Sequence, residues 1–267
     1  MDLQLKNKIV VITGSDSGIG KAAAFEFAQE GAIPVIIARN QEKVSQTVSE
    51  MNHLGYPCES FAADVTDFSA ISSAADTVWN KYKHIDVWIN NAGIAINHDF
   101  TDFTEEEYDL IMNVDLKAVF FCSQIAAKYM KQQKSGVILN ASSYAALIPH
   151  ANGSVYAAAK SGVSSLTRTM AACLAPYGIR VMSYIPGMIA SDMSSDFIQE
   201  NHEKFVRDIS MHRIGVPEDL AKPIVFLASD ASRYMDGFDV QITGGKFTVQ
   251  DCSMSWKWLD KISENKS

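Results

Sequence analysis

The sequence predicts an α/β fold, a doubly wound parallel sheet of seven strands with helices on both faces. Three observations predict it. Short β-branched apolar runs alternate along the chain with longer amphipathic stretches, the pattern of successive βα units. The first strand runs through a glycine-rich turn, Thr13-Gly14-Ser15-Asp16-Ser17-Gly18-Ile19-Gly20, straight into a helix-forming run from Lys21 to Gln29. No internal repeat and no linker interrupts the alternation, so residues 1–267 read as one domain with residues 246–267 as a C-terminal tail.

In order, the strands fall at about 8–13, 33–38, 57–61, 86–90, 136–141, 179–184 and 239–242, and the helices near 18–30, 41–54, 68–82, 104–131, 154–175, 191–210 and 217–229. Ile9 to Ile12 form a buried strand. After it, Gly14 suits a tight turn, Gly18 lets backbone approach a pyrophosphate, and Gly20 allows close helix packing. The helix that follows presents unpaired N–H groups and a partial positive charge to a phosphate. In such sheets, ligands bind at the carboxyl ends of the strands. Two indoles in the polar tail, Trp256 and Trp258, suggest that it docks on a surface, with a loose terminus as the alternative.

The most informative pair is Tyr156 and Lys160, in the Ala-rich stretch Ser154 to Lys160. A spacing of four puts both on one helix face, one turn apart. A phenol titrates near about 10, and a fixed cation beside it lowers that by roughly 1–3 units. Tyr156 can then give and take a proton near neutral pH.

Five motifs in order carry a resemblance over residues 5–245. They are the turn at Thr13 to Gly20, Asn90-Asn91-Ala92-Gly93 after an apolar strand, Asn140 to Ser143, Tyr156 with Lys160, and Pro186-Gly187. The chain resembles the short-chain dehydrogenases/reductases of the single-domain, about 250-residue type, which share a Rossmann-like fold. The resemblance implies NAD(P)-dependent hydride transfer between a ketone and a secondary alcohol. Tyr156 is then the general acid/base and Lys160 holds the nicotinamide ribose. Ser143, thirteen residues before the tyrosine, binds the substrate oxygen together with Tyr156, and the adjacent Ser142 is structural. Asn113 matches the family asparagine that holds a relay water near the lysine. The cofactor set implied is Gly14, Ser15, Ser17, Gly18, Ile19, Gly20, Arg39, Asn40, Asp64, Val65, Asn91, Ala92, Gly93, Tyr156, Lys160, Pro186, Gly187, Ile189 and Ser191. Asp64 is the adenine contact, Pro186 to Ile189 wall the nicotinamide, and Ser191 replaces the usual threonine.

At the end of the second strand Ala38 stands where NAD-preferring relatives have an aspartate, and Arg39 can fork onto a 2′-phosphate. NADP is therefore expected. Ser17, where many NADP-preferring relatives carry a basic residue, keeps NAD as the alternative.

The segment after Pro186-Gly187 forms a lid in this family. Here it carries Met188, Ile189, Met193, Phe197, Ile198, Phe205, Ile209 and Met211, facing Ile94, Ile96, Leu147 and Ile148. His150 and Asn152 are its few polar neighbours. An apolar cleft suits a hydrophobic, steroid-like or other bulky carbonyl compound. A 3-oxoacyl thioester, a sugar or polyol, and a non-catalytic redox sensor are the alternatives.

Composition agrees. The net charge of −8 gives little support to a nucleic-acid partner. No apolar run approaches the 18 or more residues of a spanning helix, so no membrane partner is expected. The four cysteines show no C-x-x-C spacing and the six histidines no H-x-x-x-H pair. No metal and a cytoplasmic setting follow as expectations. Apolar residues on more than one face of the helices near 104–131 and 154–175 suggest a homo-oligomer, a tetramer or a dimer.

Overall fold

The computed structural model describes residues 2–192, 194–246 and 248–264. It holds a seven-stranded sheet in which every neighbouring pair is parallel. The strands are β1 (Ile9–Thr13), β2 (Ile33–Ala38), β3 (Glu59–Ala62), β4 (Val87–Asn90), β5 (Gly136–Ala141), β6 (Ile179–Pro186) and β7 (Asp239–Ile242). Their order, β3-β2-β1-β4-β5-β6-β7, reverses direction between β1 and β4. That reversal opens the crevice in which a dinucleotide sits in this architecture.

The helices are α1 (Gly18–Gln29), α2 (Gln41–His53), α3 (Phe68–Tyr82), α4 (Glu105–Met112), α5 (Ala118–Gln133), α6 (Ser154–Leu174), α7 (Ser195–Arg207), α8 (Pro217–Ala228) and α9 (Met254–Glu264). Alternation along β1 divides the core. Val10 and Ile12 pack with α1 and α8 on one face, and Ile9 and Val11 pack with α3, α5 and α6 on the other. Both faces of the strand are apolar because both are covered.

Four readings need correction. The third strand begins at Glu59 rather than residue 57. The helix read at 104–131 is two α-segments joined by a π-turn, Asn113–Lys117. The helix read at 191–210 starts only at Ser195, with Ser194 N–H bonded to Ser191 O just before it, and departs from helical geometry at Asn201. Finally, the continuous helical stretch Glu105–Gln133 is by length and mean hydropathy long enough to cross a bilayer. Half of its most apolar window is buried inside the domain, where it packs on α3, α6 and strands β4 and β5.

The tail divides its two indoles. Trp256 Nε1 donates to Ser210 O at 3.0 Å and its ring stacks on His212, 4.6 Å between centroids. Trp258 is exposed.

Candidate active site

The glycine-rich turn works as its sequence suggests. Gly14 has φ +63°, and a Cβ there would fall 2.8 Å from Ala92 Cα. At Gly20 a Cβ would meet Gly14 O at 2.3 Å, so α1 approaches the turn only because the residue is glycine. Gly18, φ +52°, has open space toward the cleft, with only Ser191 Cβ at 3.6 Å from such a Cβ. Its backbone is therefore accessible to a ligand.

Gly14, Ser17, Gly18, Ile19, Arg39, Asn40, Asp64, Val65, Asn91, Ala92, Gly93 and Ser191 all line one cavity of about 400 Å³ at the carboxyl ends of β1, β2 and β4. Lys43 and Asp192, which the sequence did not single out, line it as well, and form an ion pair at 3.0 Å. The open backbone at Gly18 and the shape of this cleft fit a dinucleotide. Arg39 lies 3.7 Å from Asp64 in a loose, exposed pair. Asp64 is held by Thr66 N–H at 2.8 Å and Thr66 Oγ1–H at 2.6 Å.

Ser15, Pro186, Gly187 and Ile189 of the expected cofactor set do not line this cavity. Ser15 is fully buried. Its Oγ donates to Ile12 O at 2.7 Å and accepts from Ile37 N–H at 3.1 Å, so its side chain ties β1 to β2. Gly187 packs its backbone on Thr243, where a Cβ would come within 2.7 Å. Ile189 is buried and borders a smaller cavity under the lid with Met188, Met211 and Gly244. Pro186 ends β6 beside Ile242 of β7.

A hydrogen-bond network positions the loop after β4. Thr13 Oγ1 donates to Ile89 O at 3.3 Å and accepts from the N–H groups of Asn91 and Ala92 at 3.0 and 3.1 Å. Asn91 Nδ2 donates to Gly14 O at 2.9 Å, and Asn91 Oδ1 accepts from Tyr184. Deeper, Asn90 Nδ2 donates to Ser123 Oγ and to Asn140 Oδ1, both at 2.8 Å, and Asn140 Nδ2 donates to Thr167 Oγ1 at 2.9 Å. The asparagines of the two motifs thus fasten α5 and α6 to the sheet, since buried amides need such partners.

The catalytic candidates follow from α6. Lys160 is 3% exposed. Its Nζ donates to Ala141 O at 3.0 Å and lies 5.6 Å from the centre of the Tyr156 ring. Ser143 caps the short 3₁₀ turn Tyr144–Ala146, which packs on α6, and its Oγ accepts from Ala145 N–H at 3.2 Å. Ser142 is structural: its hydroxyl bonds Lys160 O and Ser164 Oγ at 3.2 and 2.9 Å. Burial, with a smaller contribution from Tyr156, pushes the Tyr144 phenol up to about 12.

The expectation for Asn113 is corrected. Asp115, two residues on, meets the lysine: its Oδ1 is 2.9 Å from Lys160 Nζ, and it is fully buried. Side chains two apart on a helix point to nearly opposite sides, so the same turn cannot bring both residues to Lys160. Burial alone would depress the lysine pKa, and the Asp115 charge outweighs that and holds it above the ordinary value.

Met193 and the side chain of Phe197, expected in the lid, lie outside the described residues. Of the remaining lid residues, Met188, Ile198, Phe205 and Ile209 form one cluster with Tyr144 packed on it, whereas Ile189 packs into the main core and Met211 is exposed. Ile94 and Ile96 pack beside Tyr156. Leu147 and Ile148 are exposed, and His150 is engaged with Asn152 at 2.7 Å.

This fold and this tyrosine–lysine site define a nicotinamide-dependent oxidoreductase. The family model described as short chain dehydrogenase matches residues 8–202, and the chain belongs to that family. It is 37% identical over 243 residues to the 3-oxoacyl-[acyl-carrier-protein] reductase FabG of Thermotoga maritima, covering 91% of this chain and 99% of the relative. It is 34% identical to a 3alpha-hydroxysteroid dehydrogenase of Mediterraneibacter gnavus, covering 91% and 98%. A crystal structure of a putative NAD(P)-dependent gluconate 5-dehydrogenase from Beutenbergia cavernae, with NADP bound at low occupancy, superposes with a TM-score of 0.89. That match has 28% identity and covers 93% of this chain and all of the other. The chain is an NAD(P)-dependent dehydrogenase/reductase acting on CH–OH or carbonyl groups.

Proposed function

We propose an NADP(H)-preferring enzyme that interconverts a bulky apolar ketone and its secondary alcohol. The observation that supports the substrate class is the apolar character of two clusters near the site, Met188, Ile198, Phe205 and Ile209 with Tyr144 against them, and Ile94 and Ile96 beside Tyr156. A polyol calls for several converging hydrogen-bond partners, and these clusters are apolar, with Lys246 Nζ over the Tyr144 and Phe205 rings as their charged neighbour. Ala38 and Arg39 support the cofactor preference, because the end of β2 carries an exposed guanidinium and no carboxylate.

Bound in the cleft, the reduced nicotinamide supplies a hydride. Tyr156 gives its phenolic proton to the carbonyl oxygen and regains one from solvent; in oxidation the proton runs the other way. Ser143 donates to the same oxygen, where negative charge develops. Lys160 favours the phenolate that remains.

A homo-oligomer, a tetramer or dimer, belongs to the same proposal. Tyr108, Leu110 and Phe120 are exposed on the helical stretch 105–133. A cytoplasmic setting is supported by four free cysteines.

A matched panel of steroid ketones, acyl thioester ketones and aldoses, assayed with NADPH and NADH, tests the reading. The highest kcat/KM should fall on an apolar ketone with NADPH. A maximum on an aldose would remove the apolar-pocket reading and leave the dehydrogenase class standing. A 3-oxoacyl thioester is the second reading, favoured by the Thermotoga relative's activity.

A further inference from the structure

The most unusual charge arrangement near the active site is the Asp115–Lys160 pair. Asp115 has no exposed surface and Lys160 almost none. A π-turn, Asn113–Lys117, carries the acid, and such turns recur at functional sites. The carboxylate has two partners. Oδ1 meets Lys160 Nζ at 2.9 Å, and Oδ2 accepts from Ile94 N–H at 3.2 Å. It therefore joins α6 to the loop after β4, which lines the cofactor cleft. Gly93 makes room for the pair, since a Cβ there would fall 2.6 Å from Asp115 Oδ1 and 3.3 Å from Lys160 Nζ.

The expected residue at this place, an asparagine, could both donate and accept without carrying charge. A carboxylate only accepts, and it offsets the ammonium. In a poorly hydrated site that offset is felt strongly at a phenol whose ring centre is 5.6 Å from Nζ.

We propose that Asp115 is a positioning residue that holds the Lys160 ammonium and offsets its charge, so that Tyr156 keeps its proton and the site favours giving one over taking one. The protonated phenol is the form that reduces a carbonyl. Asp115 thereby widens toward alkaline pH the range in which reduction runs, and confines alcohol oxidation to more alkaline pH. The reaction equilibrium is unchanged; the pH windows of the two directions move.

The other ionisable groups around the pair are accounted for. Tyr144, on the 3₁₀ turn, stays protonated with its phenol raised to about 12. Tyr184 of β6 donates its hydroxyl proton to Asn91. Glu107 of α4 is held by His98 at 2.9 Å, and Arg168 of α6 by Asp239 at 3.3 Å. Lys246, after β7, lies 5.7 Å from the Tyr144 ring centre. Lys160 and Asp115 are the oppositely charged groups in direct contact at the phenol's own helix.

This inference rests on Tyr156 as the proton carrier, and its test needs neither substrate nor cofactor. Tyrosinate formation is followed by ultraviolet difference titration of the whole protein, with each variant measured against its own Tyr156→Phe double. With Lys160 still an ammonium, the Tyr156 signal in Asp115→Asn should appear ~1 pH unit lower than in the parent; an upward shift marks a buried lysine gone neutral and overturns the proposal. In a Lys160→Met background the same substitution should move it far less, because a buried Asp115 without its counter-ion takes a proton and is neutral already. Should Asp115→Asn not fold, Asp115→Ser, which keeps an acceptor for the Ile94 N–H, is titrated in its place with the same expectation. Superimposable Tyr156 titrations in the parent and the folded Asp115 variant overturn the proposal. An equal shift with and without Lys160 overturns it too, since Asp115 would then act on the phenol directly. A substrate panel that contradicts the apolar-ketone reading leaves these titrations unaffected, so the two failures are distinguishable.

Discussion

The Tyr184 hydroxyl donates to Asn91 Oδ1 at 2.9 Å, and the amide of the same asparagine donates to Gly14 O at 2.9 Å. A fully buried phenol at the end of β6 thus fixes the glycine turn after β1 through one asparagine. Tyr184→Phe keeps the ring and removes the donor, leaving a buried amide oxygen without its partner. That should cost about 1–3 kcal/mol of stability in urea unfolding, together with a raised KM for the cofactor. A loss of stability with unchanged cofactor KM would confine Tyr184 to packing.

Tyr156→Phe should keep the fold and dinucleotide binding and lower turnover by about 10²–10⁴-fold, the contribution of a general acid. Cofactor fluorescence titration and steady-state rates measure the two halves. Lys160→Ala should lose turnover and cofactor affinity together. It should also unfold more readily, by about 3–5 kcal/mol, because Asp115 is left buried without its counter-ion.

These expectations show how far the sequence reached. The order of strands and helices was legible because period-2 and period-3.6 patterns differ, and β7 falls at 239–242 as read. The turn glycines were legible because positive φ and close approach leave few residue choices. Asn113 was placed at the lysine by its match to the family asparagine alone. Only the π-turn shows that Asp115, two places on, faces Lys160. A signal was present: Asp115 sits between Val114 and Leu116 in an apolar stretch, and a buried acid needs a cation. That the Ser15 hydroxyl turns inward, to Ile12 and Ile37, was not legible because sequence does not tell which way a turn hydroxyl points. The Thr13–Asn91–Tyr184 linkage was invisible because its members are about 80 to 90 residues apart and meet only through sheet order.

At the cofactor end, Arg39→Ala should weaken NADP much more than NAD, because only NADP carries a 2′-phosphate. Ala38→Asp should narrow or reverse the ratio, since its carboxylate would repel that phosphate and suit a ribose hydroxyl. Parallel KM measurements with both cofactors decide it. Equal kinetics in the parent would defeat the Arg39 assignment. Light scattering at micromolar concentration checks the proposed oligomer on the same preparations, and a monomer there would remove it.

Acid should expose the link between the lid and α8. Arg213 grips Asp219 with both Nη atoms, at 2.6 and 2.7 Å, and Val216 N–H adds a bond at 2.9 Å. The Arg213 hydrogen bonds hold the Asp219 carboxyl down at about 2. In the unfolded chain it titrates near about 4. The native state therefore binds this proton less readily. The stabilisation is complete above about pH 4 and is lost as the pH falls toward about 2. The pair is largely exposed, so solvent screening limits it to under about 1 kcal/mol. Asp219→Asn should lower Tm slightly at pH 7, and the difference from the parent should vanish near pH 2. An undiminished difference at pH 2 would assign the effect to something other than this carboxylate.

The tail offers the last test. Trp256 donates to Ser210 O and stacks on His212, and Ser210 and His212 follow the lid helix α7. Ser210 Oγ in turn donates to Gly245 O at 3.1 Å, so the indole closes a small cluster joining α9, the lid and the end of β7. Large buried aromatic area is the main stabiliser of such a contact. Trp256→Ala should free α9 from the lid while leaving the sheet, the glycine turn and the Tyr156–Lys160 pair intact. Hydrogen exchange should then rise in residues 205–212 and 254–262, with little change in β1 to β6. On the proposed reading, in which the lid cluster Met188, Ile198, Phe205 and Ile209 covers the substrate, KM for the carbonyl substrate should rise more than kcat falls. Unchanged exchange in 205–212 would show that the lid stands without the tail. A fall in kcat at constant KM would move the indole's effect from the lid to the chemistry of the site.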